Sequence, residues 1–151
     1  MAELFYNIEI ISFLENRNFE HFVFRNGCAY INSHEADEII IEAPDNQIPD
    51  DRIRYIIDAL YHLDDCIQKA HSWLEHISLK NDKWYPHALN QGFEVYGMYF
   101  GTYTYGHEPE PVTNGFTLSF KAAGEYFPCK FTVKFCRNDM HPFAVEEWLS
   151  D

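Results

Sequence analysis

Apolar positions fall into three regimes along the chain: strand-like runs up to residue 42, a helical stripe from 51 to 78, and alternating runs beyond 92. In the first regime Leu4 to Leu14, Phe19 to Phe24 and Ile39 to Glu42 read as β-runs, with a shorter one at Cys28 to Asn32. Asn26-Gly27 between Phe24 and Cys28 is a two-residue hairpin signal, because both residues tolerate the positive φ that a tight turn demands. The pattern predicts an N-terminal β-meander.

The turn-rich stretch Ala43 to Asp50 ends in an acid placed to cap a helix starting at Asp51. Ile53, Ile56, Ile57, Leu60, Leu63, Ile67, Ala70, Leu74 and Ile77 then recur at three- and four-residue steps, one side of a 3.6-residue repeat. This predicts one long amphipathic helix from Asp51 to Ser78, roughly 40 Å long, lying diagonally across a sheet.

A polar connector, Leu79 to Asn90, precedes the strongest β signal. Gly92 to Tyr105 alternates, with Phe93, Val95, Tyr99, Tyr103 and Tyr105 on one side and Glu94, Tyr96, Met98, Phe100, Thr102 and Thr104 on the other. Gly97 and Gly101 fall on the first side, where a missing side chain permits a bulge or a close approach. After a loop at Gly106 to Gly115, Phe116, Leu118 and Phe120 alternate with Thr117, Ser119 and Lys121. Phe131, Val133 and Phe135 alternate with Lys130, Thr132 and Lys134, and Ala122 to Glu125 forms the hairpin turn between the two runs. The lysines are expected to face outward. The tail after Pro142 suits a short docking helix or an irregular segment. Together these elements predict an α+β fold, with an antiparallel sheet packed against one long helix, in a single domain spanning residues 1–151.

Hydrophobic residues make up 46% and aromatics 17% of the 151 residues, enough apolar material for folding without a staple. The four cysteines show no paired CxxC spacing, and the N-terminus lacks a basic, apolar leader, so the thiols are expected reduced and the protein cytoplasmic. No stretch approaches the roughly 18 continuous apolar residues needed to span a bilayer.

The formal net charge of -13 disfavours phosphate backbones and anionic lipid surfaces. Residues 1–50 carry ten acids against Arg17 and Arg25 alone, a net -8. Such a face serves solubility and also suits a basic protein partner.

Eight histidines raise the possibility of a metal site, yet HExxH, CxxC pairs and facing ExxH motifs are missing. His62 and Cys66 stand one helical turn apart, with no third ligand assignable. Asp64, Gln68, His71 and Glu75 follow one another along the edge of the helical stripe, as an acid/base pair or a structural lock. No nucleophile elbow or phosphate loop accompanies them. No metal, cofactor or catalytic residue is therefore assigned.

A second group combines Trp84, Tyr85, Tyr103, Tyr105, His107, Glu108 and Glu110, with Tyr99 beside it, around a Pro-punctuated loop. Large rings supply contact area at low entropic cost, and neighbouring acids select a cationic surface. The strands GFEVYGMYFGTYTYGH and FPCKFTVKFC, preceded by a helix ending HSWLEHIS, resemble small bacterial cytoplasmic domains of the toxin-immunity type. The resemblance implies an acidic protein that neutralises a toxin by binding it. The sequence thus leads to the expectation of a non-enzymatic protein-binding domain. The alternatives are a small metal-assisted hydrolase or a sugar- or peptide-binding module built on the tyrosine strand.

Overall fold

A computed structural model describes residues 3–78, 93–103, 112–122, 129–135 and 142–149. In chain order these form α1 (Asn7–Glu15), β1 (Val23–Arg25), β2 (Cys28–Ile31), β3 (Glu38–Glu42), α2 (Asp50–Tyr61), α3 (Leu63–Ser78), β4 (Phe93–Tyr103), β5 (Val112–Ala122), β6 (Cys129–Phe135) and β7 (Pro142–Leu149). The class is α+β, and the seven strands lie in sequence order, β1 to β7, in one sheet.

Every neighbouring pair is antiparallel except β3 and β4, which run parallel. The expectation of a purely antiparallel sheet is corrected at that one seam. Its cause is the chain path: α2 and α3 separate the two strands, and a parallel pair needs such a crossover, whereas a hairpin cannot make one.

Leu4 to Leu14 is not a β-run. Residues 7–15 form α1, with Ile10, Ile11 and Leu14 buried at helical spacing and Ile8 and Glu9 exposed. The Glu9 carboxylate accepts the Tyr6 backbone N–H at 3.1 Å, which satisfies a donor at the helix start. At the other end Arg17 takes a left-handed φ of 54° and its guanidinium donates to the Leu14 carbonyl at 2.7 Å. Capping and burial thus override the β preference of the isoleucines. Of the expected Phe19 to Phe24 strand only Val23 and Phe24 are paired, within β1, because Phe22 N–H closes a turn onto the Phe19 carbonyl. The Asn26-Gly27 turn is as expected, with φ of 53° and 75°.

The long helix is two helices. His62, with φ -106° and ψ 18°, separates α2 from α3. Its backbone N–H is shared between the carbonyls of Asp58 and Ala59, each at 3.2 Å, and its Nδ1 lies 2.9 Å from the same Asp58 carbonyl oxygen. A side chain competing for an i−4 carbonyl is a recognised cause of a helix kink. Nor does Asp50 cap α2 from outside. It is the first helical residue, preceded by Pro49, and with Asp51 it places negative charge in the first turn, where the helix dipole favours it.

The helices cover the sheet face that carries Ile39, Ile41, Met98, Phe100, Phe116, Leu118, Phe120, Val133 and Phe135, all buried. Tyr55 of α2 meets Phe100 edge-on at 6.3 Å, and His71 of α3 leans on Phe120 at 5.3 Å. Phe100, Phe116 and Phe135 are direct cross-strand neighbours whose rings stack at 4.7 and 5.1 Å, a ladder across three strands. Fully burying one such ring stabilises the fold by about 1.5–3 kcal/mol.

The alternation along β4 shifts where the ladder slips between Val95 and Gly97, so Val95, Met98 and Phe100 share the helix side while Tyr99 faces the other way. The row Tyr99, Thr117, Lys134 crosses that opposite face. Thr117 and Lys134 are both buried, which corrects the outward placing of Lys134. Residues 142–149 form strand β7 on β6, not a docking helix, because β6 offers a free ladder edge to pair with. No helix of the described residues is long and apolar enough to cross a membrane.

Candidate ligand cleft and acidic surface

The N-terminal segment is tied to the sheet edge by backbone bonds. Phe5 N–H donates to the Asn32 carbonyl at 3.3 Å, and His34 N–H donates to the Phe5 carbonyl at 3.0 Å. This places Glu3 and Phe5 across from β1, β2 and the start of β3. Between them lies a cleft of about 300 Å³, bordered by Glu3, His21, Arg25, Tyr30 and Glu38, with Phe5, Val23 and Ile31 as its apolar part.

Each wall has a local cause. The Asn26-Gly27 hairpin sets Val23 directly opposite Tyr30, and the Arg25 guanidinium lies over the Tyr30 ring, 4.4 Å from its centroid. The His21 ring packs against Phe5 at 4.9 Å and Phe13 at 5.0 Å. Its Nδ1 faces Glu3 at 3.6 Å and its Nε2 faces Glu20 at 3.4 Å. Glu38 opens β3 and is half-buried. A smaller cavity of about 250 Å³ lies beside Phe19, Phe24 and Ile48, next to the Arg17–Asp50 ion pair.

A polar node ties α2 to the sheet. Buried Arg52 donates to the Glu42 carbonyl at 2.7 Å and faces its carboxylate at 3.2 Å, and Thr102 donates to that carboxylate at 2.8 Å. Tyr99 donates to the Thr102 carbonyl at 2.9 Å. Burial first, then the nearby Glu42 charge, pushes the Tyr99 phenol up to about 12. A phenol so hard to ionise, in a node so fully bonded, joins elements and is poorly suited to proton transfer.

The cations and carboxylates are distributed unequally. Arg52 and Lys134 are buried, Arg17 and Lys69 are engaged by Asp50 and Asp65, and Arg25, Arg54 and Lys121 are exposed. Glu9, Glu15, Glu20, Asp37, Asp45 and Asp51 are all exposed.

Beyond the kink at His62, α3 buries Leu63, Cys66, Ala70 and Leu74, and Asp64 and Gln68, expected along the edge of the stripe, are exposed. His71 is half-buried against Phe120. The Glu75 side chain lies outside the described ones. His62 is exposed while Cys66 is buried, its thiol pushed up to about 11 by burial, so the two do not form a ligand pair. Among the described residues no three His, Cys, Asp or Glu side chains converge on one point.

Of the expected partner-binding group, Trp84, Tyr85, Tyr105, His107, Glu108 and Glu110 lie outside the described residues. Tyr103 ends β4, with its side chain also outside. Tyr99 is half-buried on the face away from the helices. Sequence reading missed the cleft. Its one legible signal was the Asn-Gly turn, which in a two-residue hairpin fixes Val23 opposite Tyr30.

No family model matches the chain, and no curated protein or solved structure matches it.

Proposed function

We propose that the protein is a non-enzymatic binding domain that recognises a basic protein partner through its exposed carboxylates. The observation that carries this reading is the unequal use of charge. Arg52 and Lys134 are buried and Arg17 and Lys69 sit beside carboxylates, which leaves Arg25, Arg54 and Lys121 exposed against a larger set of exposed carboxylates that includes Glu9, Glu15, Glu20, Asp37, Asp45 and Asp51. Such a field speeds encounter with a cationic surface and makes it salt-sensitive. Trp84, Tyr85, Tyr103, Tyr105, His107, Glu108 and Glu110 belong to this proposal as a second contact region, rich in the residue types that anchor interfaces. The narrower form of the reading, suggested by the resemblance of the β4 and β6 sequences, is an immunity-like protein whose partner is a toxin.

The test is an affinity capture from the native host at low and then high salt. A discrete basic protein retained at about 50 mM and released at about 500 mM NaCl supports the reading, because screening shortens the reach of surface charge. Recovery of no such protein, or of one indifferent to salt, counts against it.

A further inference from the structure

The cleft beneath the N-terminal segment holds two opposite charges, Arg25 and Glu38. Arg25 is exposed, with its guanidinium laid on Tyr30, and Glu38 stands on the strand beyond. Among the described residues neither forms an ion pair. Glu3, the other carboxylate on the cleft, already faces His21 at 3.6 Å. Among the described residues the cleft therefore offers one cation and one anion without an ion-pair partner, with the Tyr30 ring and the apolar surface of Phe5, Val23 and Ile31 beside them. Val23 is 57% exposed, apolar area that a ligand could cover.

Charge logic narrows what fits. A purely cationic ligand meets Arg25, and a purely anionic one meets Glu38 and Glu3. A molecule carrying both charges compensates both residues at once, and a guanidinium can hold a carboxylate through two parallel hydrogen bonds. The volume of about 300 Å³ stands at the lower end of small-molecule sites. We propose that this cleft binds a small zwitterion, an α-amino acid with an apolar side chain, placing its carboxylate on Arg25, its ammonium on Glu38 and its side chain against Val23 and Phe5. The site is independent of the partner-binding reading and stands or falls without it.

Calorimetric titration of the full chain tests the proposal, with L-leucine and L-phenylalanine as probes. Two analogues, 3-methylbutylamine and 4-methylpentanoate, each keep the leucine side chain and one of its charges. Saturable binding of at least one amino acid is expected, with both analogues weaker by roughly tenfold or more than L-leucine where leucine is the ligand, since each loses a charge-assisted contact. Arg25→Gln and Glu38→Gln are each expected to weaken the amino acid by a similar factor while leaving the circular dichroism spectrum unchanged. Absence of saturable binding by either amino acid up to about 10 mM overturns the proposal. So does binding that both substitutions leave intact, or an analogue that binds as well as leucine, and the analogue arm requires no variant to fold.

Discussion

Arg52 and Glu42 meet twice: the guanidinium donates to the Glu42 backbone carbonyl at 2.7 Å and lies 3.2 Å from the Glu42 carboxylate. Through this pair α2 is fixed to the last residue of β3, beside the only parallel seam in the described sheet. The Arg52 side chain is 7% exposed and that of Glu42 is 28%, so the pair is shielded on one side and wetted on the other. Replacing Arg52 with methionine removes a buried cation and leaves the Glu42 carbonyl without that donor. The expected cost is about 2–3 kcal/mol, below the full cost of breaking a wholly buried pair because Glu42 remains partly hydrated. Urea denaturation measures it, and a loss below about 0.5 kcal/mol, the scale of an ordinary surface change, would contradict the role given to the pair.

Gly101 lies where the backbone of β4 passes closest to this node. A Cβ built there falls 2.5 Å from the Glu42 Cβ and 2.7 Å from the Tyr99 hydroxyl oxygen. Gly101→Ala therefore forces Tyr99 and Glu42 apart, at an expected cost of about 1–3 kcal/mol by overpacking. Gly97→Ala serves as the control, since its nearest neighbours stand at 3.8 Å. Equal melting temperatures for the two variants would mean the close approach has no energetic weight.

The stacked ladder of Phe100, Phe116 and Phe135 makes the middle ring the most consequential. Phe116→Ala empties a fully buried site between two aromatic neighbours and is expected to cost about 3–5 kcal/mol. Phe116→Leu should retain most of the stability. A denaturant midpoint for the alanine variant close to wild type would show that the ladder does not hold the sheet to the helices.

Alkaline stability follows from two raised groups. The Cys66 thiol stands at about 11 against an ordinary 9.0, and the Tyr99 phenol at about 12 against 10.0, both chiefly through burial. Each ionises more readily in the unfolded chain, so unfolding releases protons and stability falls as pH rises. The Cys66 contribution is intact below pH 9 and lost between 9 and 11. That of Tyr99 is intact below pH 10 and lost between 10 and 12. Unfolding free energies across this range should show Cys66→Ala flattening the lower part of the decline and Tyr99→Phe the upper part. Curves for both variants parallel to wild type throughout would contradict these assignments.

Some of this was legible in the residue pattern for identifiable physical reasons. Asn26-Gly27 demanded a tight turn, and Phe116, Leu118 and Phe120 could face one way only. Ile39 to Glu42 fell within one residue of the observed strand β3. The N-terminal segment misled because Ile8, Ile10 and Ile11 favour a strand locally, while burial of Ile10, Ile11 and Leu14 on one side favours a helix. The break at His62 was hidden because the apolar spacing continues from Leu60 to Leu63 across it. The parity change along β4 arises from the slip at Tyr96, a property of the pairing with β5 that β4 alone does not encode. The cleft depends on Glu3, His21, Arg25 and Glu38, which share no motif; the pairing of β1, β2 and β3 places Arg25 and Glu38, and the Phe5–Asn32 bond brings Glu3 to the same cleft.

The measurement closest to the central claim is the salt dependence of affinity for the basic protein recovered by capture, compared between the wild-type chain and a triple variant. The substitutions Glu15→Gln, Asp37→Asn and Asp45→Asn remove three exposed charges, and asparagine tolerates the left-handed φ of 55° at position 45. The wild-type affinity should fall steeply as salt rises from about 50 to 500 mM, and the variant should bind more weakly at low salt with a shallower slope. Superimposable curves for the two proteins, or an affinity unchanged by salt, would contradict recognition through the acidic surface.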